Sequence, residues 1–547
     1  MAENPQKENK MFLAVFLTFV QIVSGTSYLC SRIGDHGALR DADTNSIPHK
    51  GKRTNRTYML TDNQLIRLIF GFKVRHLRQQ HELSYQQLSK LTGLSTSYLN
   101  DIEKGKRYPK PDKINALAEA LNVDYNYMVS LNASKRLQPI IDLLSSHFFK
   151  LFPLHEFGIS LEKLIELFSQ TPDRINAFIS TIFKIARNYQ VNEETFYLEA
   201  LRSFQDMHDN HFPKLEMATQ EFKQEYSIQG ILPYTTAFLE DQLEELYGIS
   251  INRGALAQNK TTQAIRSYLS PESKTLYLQD DLSSAQENFL IARELGFQFL
   301  DLQERPYETT IVKIETFEKL LNNYKASHFA AALLMDERSL VEDLKVIARM
   351  SSWDPLALVD MIDKYNVTPE MLLQRLTNIL PQHFGIENLF FIRLTQDAET
   401  GSYSMTKDLH LSQLHSPYNN ELDEHYCHRW VSITTILELA ESDEDVIVDA
   451  QISSYWDTDK DYLCISMAKR SHKNPALGVS VTLGMLINTD LKSSFNFVRD
   501  PKLKVRTVST TCERCGVVDC ESRQASPSIL DQEAKEDSIL QALSELP

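Results

Sequence analysis

Two short apolar-periodic runs, each opened by a serine and parted by a glycine, constrain this chain more tightly than any other feature. Ser84-Tyr85-Gln86-Gln87 has the form of a capping box, in which a serine hydroxyl and a glutamine side chain satisfy each other's backbone N–H groups. Leu88 and Leu91 follow on one helical face, and Gly93 offers the tight turn that stops the helix. Ser95 then caps a run whose Tyr98, Leu99 and Ile102 recur on one side. Helices this short are unstable alone, so they must bury those faces against neighbours. The run over residues 64–80 supplies one neighbour through Leu65, Ile66, Leu68, Ile69, Phe72, Val74 and Leu77. Pro109 and Pro111 introduce another, carrying Ile114, Leu117, Ala118 and Leu121. An all-α helix-turn-helix bundle is predicted over residues 61–131.

The outer side of this bundle is polar, with Thr96, Ser97 and Asn100 on the third helix and Lys104, Lys106 and Arg107 around Gly105 at its end. The formal net charge of −16 excludes a surface that attracts nucleic acid everywhere, so any such affinity must be confined to this patch. The stretches 83–88 and 102–109, with their caps, turn glycine and basic loop, resemble the phage-repressor-like (XRE) helix-turn-helix family. That resemblance implies a third helix in the major groove of a double-stranded DNA operator, with Thr96, Ser97 and Asn100 on base edges and Gln86 beside them. Arg75, Lys104, Lys106 and Arg107 would hold phosphates. The family often has Gln where Tyr85 stands. A homodimer on a palindromic site is expected, because one such module reads few bases. A bundle used only for protein contacts is the alternative.

A chain of 547 residues needs several cores, and the fold class expected is multidomain, mostly α with an α+β C-terminal half. Residues 1–58 form a doubtful leader: Lys7 and Lys10 precede an apolar run over 11–23, followed by Ser24 and Gly25. That is signal-peptide grammar, and the run is too short for a comfortable membrane span. A start at Met59 reconciles it with a cytoplasmic DNA-binding chain and no membrane; a tether is the alternative. Residues 132–228 read as a helical spacer and dimer scaffold, with amphipathic runs at 137–151 and 161–168.

Residues 229–345 combine a helix over 239–247, short strands near 249–251 and 275–278, and a long helix over 283–302. The last contains Ile291-Ala292-Arg293-Glu294-Leu295-Gly296-Phe297 and resembles the zinc-peptidase-like domain with His-Glu-Leu-Gly-His on a helix. The two histidine positions hold Arg293 and Phe297, and Asn323 stands where an acidic ligand is usual. A guanidinium and a benzyl ring cannot replace neutral imidazoles on zinc. The expectation is a degenerate scaffold with no catalytic residue, Glu294 pairing with Arg293; an active metallopeptidase is the alternative.

Residues 346–530 alternate in period two at 389–394, 446–452, 462–467 and 477–486, predicting an antiparallel sheet flanked by helices, similar to small-molecule sensors of the GAF type. Six cysteines are too few for a disulfide scaffold, yet Cys512, Cys515 and Cys520 fall in one short run, with Cys427 as a fourth ligand candidate. Four thiolates at irregular spacing suit a [4Fe–4S] cluster; structural zinc and free thiols are the alternatives. Cys464 fits a strand core, and Cys30 lies in the leader. Residues 531–547 form a tail.

Taken in order over about residues 60–525, these segments resemble the short-chain fatty acyl-CoA regulators of the XRE family, chiefly through Cys427 with Trp430 and the 512–520 run. The resemblance implies a bacterial transcription regulator of acyl-CoA metabolism that binds an acyl-CoA thioester and an iron–sulfur cluster. His428-Arg429 and Gln524-Ala525-Ser526-Pro527 depart from the family pattern, which bears on the effector's identity. Because CoA carries phosphates, Lys469, Arg470 and Lys473 are the effector-binding candidates, with a solvated surface cluster as the alternative.

Overall fold

A computed structural model describes residues 62–130, 156–158, 193–228, 232–397, 400–410, 424–470 and 477–546. The leader, Cys30, Lys473 and the spacer runs 137–151 and 161–168 lie outside the described residues. The chain divides between Phe196 and Tyr197 into two compact units.

The first unit contains the predicted bundle: α1 (Asp62–Gln80), α2 (Tyr85–Thr92), α3 (Thr96–Glu103), α4 (Pro111–Ala120) and a short α5 (Tyr125–Val129). Ser84 and Gln87 form the reciprocal capping box, Gly93 takes φ +69°, and Ser95 caps α3 through the Tyr98 N–H. Phe70, Val74, Leu77, Leu88, Leu99, Ile102, Leu117 and Leu121 make the core. A Cβ at Gly71 would lie 2.2 Å from the Ile102 carbonyl oxygen, so only glycine lets α1 approach α3 this closely. Arg78 Nε and Nη2 donate to Glu103 at 2.6 and 3.0 Å, and the Tyr85 hydroxyl donates to the same carboxylate at 2.7 Å. Three helices are thereby tied at one buried carboxylate.

The second unit starts within α6 (Glu193–Met207), followed by α7 (Pro213–Glu225) and α8 (Thr236–Tyr247). A small sheet of β1 (Ser250–Arg253), β2 (Ser267–Ser270), β3 (Thr275–Leu278) and β4 (Glu308–Thr309) has the order β1-β3-β2-β4. Beside it, α9 (Ser284–Phe299) packs on α10 (Phe317–Leu334). A Cβ at Gly296 would meet the Phe329 ring at 2.9 Å, which explains their close crossing. Helices α11 (Glu337–Arg349), α12 (Leu356–Tyr365) and α13 (Pro369–Phe384) lead into the large sheet.

That sheet contains β5 (Leu389–Gln396), β6 (Tyr403–His410), β7 (Val446–Tyr455), β8 (Asp461–Arg470), β9 (Gly478–Leu486) and β10 (Lys504–Val508), in the order β10-β7-β8-β9-β5-β6. Helix α14 (Val431–Glu441) covers one face, α15 (Thr489–Ser494) follows β9, and α16 (Ser528–Ser544) buries none of its residues. All neighbours are antiparallel except β10 with β7, which run parallel. The antiparallel sheet is the one expected, and β10 adds a parallel edge to it because the chain crosses over from β9 through α15 before pairing with β7.

The pleat divides β8 between two cores. Leu463, Ile465 and Met467 join a core that runs continuously through Leu376, Phe329, Ile291 and Leu239. Tyr462, Cys464 and Ala468 face a second core with Trp430, Ile433 and Ile436. Cys464 is buried there, as its strand position predicted.

Candidate functional site

On the first unit, the cap at Ser95 turns the start of α3 outward. Thr96 and Ser97 are exposed, Asn100 is half-buried, and Gln86, Lys104, Lys106 and Arg107 are exposed. Arg107 Nε lies 3.1 Å from Asp101, and its guanidinium carbon lies 5.7 Å from the Tyr98 ring centroid. Arg75 is half-buried with its Nε unpartnered. Tyr85 differs: its hydroxyl is committed to Glu103, which fixes α2 against α3.

In the second unit the helix that resembles a peptidase helix holds an ion pair. Arg305 donates to both oxygens of Glu294, at 2.7 and 2.5 Å, and both side chains are almost wholly buried. The Arg305 guanidinium also stacks 3.6 Å from the Phe297 ring centroid. The expected Glu294–Arg293 pair is therefore corrected. Consecutive helical residues point about 100° apart, so Glu294 faces the loop bearing Arg305 while Arg293 hydrogen-bonds Thr309 and Asn323. Burial pushes the Arg293 guanidinium down to about 10, which leaves it charged at neutral pH.

Arg293 opens into a cavity of about 760 Å3 between the helices and the large sheet. Phe289, Leu290, Met467, Val479 and Val481 give it apolar walls; Arg266, Arg293, Arg393, Lys407, Lys469 and Arg470 line it with positive charge. Its size and mixed lining suit a small organic ligand. Lys407 and Arg393 are neutralised in part by Glu370: burial opposes ionisation of that carboxyl, but the two cations hold it at about 2. Of the predicted effector residues, Lys469 is exposed, and Arg470 donates to the carbonyls of Leu439 and Ser442 at 3.1 and 2.5 Å while still facing the cavity. Sequence reading missed Arg266, Arg293, Arg393 and Lys407 as cavity cations, because only the fold brings the small sheet, α9, β5 and β6 together.

Cys427, Cys512, Cys515 and Cys520 line one pocket with Arg523. The Cys427 N–H donates to the Thr510 carbonyl at 3.2 Å, the Cys512 N–H to the His425 carbonyl at 2.8 Å, and the Trp430 indole to the Ser509 carbonyl at 2.9 Å. Arg523 then gathers the loop by donating to the carbonyls of Cys512, Cys515, Val517 and Ala525. A Cβ at Gly516 would lie 2.3 Å from the Trp456 ring, so the loop is pressed flat there. The Gln524 N–H donates to Cys512 Sγ at 3.4 Å, the kind of contact that steadies a thiolate ligand. Burial pushes the Cys427 thiol up to about 11, with Cys512 and Cys515 adding to the rise. Four sulfur donors brought to one pocket from two segments of the chain are a set that a soft cation or cluster accepts, so the residue types fit one.

A helix-turn-helix family model matches residues 74–128, and the IrrE N-terminal-like domain of the M78 peptidase family matches residues 245–377. The chain thus joins a helix-turn-helix domain of the XRE type to an IrrE-like α+β segment. It is 44% identical over 57 residues to the HTH-type transcriptional repressor RghR of Bacillus subtilis (strain 168), covering 10% of this chain and 42% of the repressor. The uncharacterized HTH-type transcriptional regulator RghRB of the same organism is 39% identical over 62 residues, covering 11% of this chain and 45% of the regulator. The chain therefore spans less than half the length of these curated relatives. A solved structure described as a Mycobacterium tuberculosis transcriptional regulator aligns with 60% of this chain and 93% of its own, at 18% identity and a TM-score of 0.43. Among the described residues no helix is long and apolar enough to cross a membrane.

Proposed function

We propose that this protein is a sequence-specific DNA-binding transcriptional regulator that works as a homodimer. The observation that carries the reading is the outward polar start of α3 flanked by exposed Lys104, Lys106 and Arg107, on a chain whose net charge is −16. The IrrE-like segment serves as scaffold: its one acidic peptidase residue, Glu294, is bound at both oxygens by Arg305 and cannot activate water. The central cavity would take an anionic amphiphile of the acyl-CoA type. Its apolar walls accept an acyl chain, and Arg266, Arg293, Lys469 and Arg470 face the phosphates. Cys427, Cys512, Cys515 and Cys520 would hold a [4Fe–4S] cluster, which supplies a cross-link between the 424–430 segment and the 511–524 loop when bound. Ligand binding would shift the dimer between arrangements that differ in operator affinity.

An operator titration with and without an acyl-CoA thioester tests this. Asn100→Ala is expected to weaken specific binding by about 1–3 kcal/mol and relax the preference at one base pair. Lys104→Ala should weaken binding to all sequences and lower the salt slope by about one. Binding that is insensitive to sequence in the wild type would defeat the regulator reading; sequence-specific binding unmoved by any acyl-CoA would defeat only the effector. For the thiol site, anaerobically purified protein should carry about four iron and four sulfide, and Cys515→Ser should lose them. One equivalent of zinc held by the same four thiols would replace the cluster by a structural metal.

A further inference from the structure

Away from the thiol pocket and the cavity, three side chains from distant parts of the second unit converge. His211 lies in the turn between α6 and α7, Glu337 is the first residue of α11, and His383 is in the last turn of α13. Nε2 of His211 lies 3.3 Å from Glu337 Oε1, and Nε2 of His383 lies 2.8 Å from the same oxygen. All three donor atoms fall within 4.8 Å of one another. The imidazole planes stand at 87°, so the two rings approach from different directions rather than stacking.

We infer that His211, Glu337 and His383 form a binding site for a first-row divalent cation of the zinc class. Two imidazole nitrogens and one carboxylate oxygen are a ligand set that zinc accepts at about 2.0–2.2 Å from each donor. A small shift of the present donors outward around a central ion would meet that geometry. Partial exposure of all three side chains leaves the remaining coordination positions open to water.

The framework behind the donors is unusually well fixed. Asn210, adjacent to His211 and fully buried, accepts from Tyr324 at 2.8 Å and Gln205 at 3.1 Å, and donates to Thr377 at 2.8 Å. The Asn210 carbonyl accepts from Asn378 at 2.7 Å, which ties the His211 turn to the helix that carries His383. Asp336 caps α11 through the Arg338 and Ser339 N–H groups, and its other oxygen accepts from Gln220 and Lys223, holding the start of the helix that presents Glu337. These contacts fix the backbone on which His211 and Glu337 are presented. The ion would clasp the α6–α7 turn to both α11 and α13, and α13 also lines the central cavity.

The site stands apart from the thiol pocket, so its test does not depend on the regulator reading. Full-length protein, stripped with a chelator, is titrated with zinc chloride while zinc uptake and thermal stability are followed. Wild type is expected to bind one more zinc than His383→Gln, and zinc should raise its Tm more, because an ion that binds only the folded state stabilises it. Glu337→Gln keeps an acceptor oxygen for both imidazoles and so preserves the metal-free contacts; it should lose roughly 10-fold or more in zinc affinity at this site. Cobalt bound here should show visible bands without sulfur-to-metal charge transfer. Equal zinc stoichiometry and equal Tm shifts in wild type and Glu337→Gln would overturn the proposal, leaving the trio as a hydrogen-bonded cluster.

Discussion

Arg305→Met is expected to destabilise the second unit by about 3–5 kcal/mol, because it leaves the buried Glu294 carboxylate without its countercharge, held by the neutral Gln298 amide at 2.8 Å. The pair is 5% and 2% exposed at its two side chains, so solvent offers neither charge relief. The double variant Glu294→Leu with Arg305→Met should recover most of that loss, since a buried pair exchanged for apolar groups of similar volume is often neutral or better. Denaturant melts of the four proteins measure the coupling directly. Neither single variant should gain zinc-dependent proteolysis, because Arg293 and Phe297 still occupy the ligand positions. A near-zero cost for Arg305→Met would mean that Glu294 does not need its partner.

Acidification is expected to weaken the same unit through Glu216, which accepts from Arg375 at 2.5 and 2.9 Å and from His328 at 2.8 Å. Burial opposes ionisation of Glu216, yet His328 and Arg375 together hold its carboxyl far below the usual range. Its contribution is present above the unfolded value of about 4.5 and is lost as pH falls from there. Burial likewise pushes His328 below 6.5, outweighing the pull of Glu216. Below 6.5 the unfolded chain takes up a proton that the folded state resists, so this group also costs stability as pH falls, with a limiting slope of about 1.4 kcal/mol per pH unit. Melting temperature followed from pH 7.5 to 5 should therefore fall in wild type and stay flatter in His328→Gln. Parallel curves would show that His328 takes up its proton over the same pH range in the folded and unfolded chains.

The short-range features were readable because they are local. The Ser84 box, Gly93 and the Ser95 cap act over a few residues, and the strands at β5, β7, β8 and β9 announce themselves by alternation. Cys427 met the 512–520 run as its residue type suggested. The partner of Glu294 was hidden because Arg305 sits in a loop without periodicity, and a sequence cannot tell which of two neighbouring helical directions faces it. β10 was missed for a related reason: Lys504, Val505 and Arg506 at a sheet edge lack the apolar alternation of a covered strand. The His211, Glu337 and His383 grouping was beyond sequence reading altogether, since no short motif links residues so far apart.

β8 and β9 place Met467, Val479 and Val481 on the cavity while Cys464, on the opposite face of β8, packs with Cys427 and Trp430. A wall shared in this way obeys reciprocity. If filling the chamber bends the slab so that the thiol side binds its cofactor tenfold less tightly, then loading that cofactor must loosen the chamber's grip on its occupant by the same tenfold, about 1.4 kcal/mol. If the two sites hold the effector and the cluster proposed above, both inputs would be added as free energies within a single sheet.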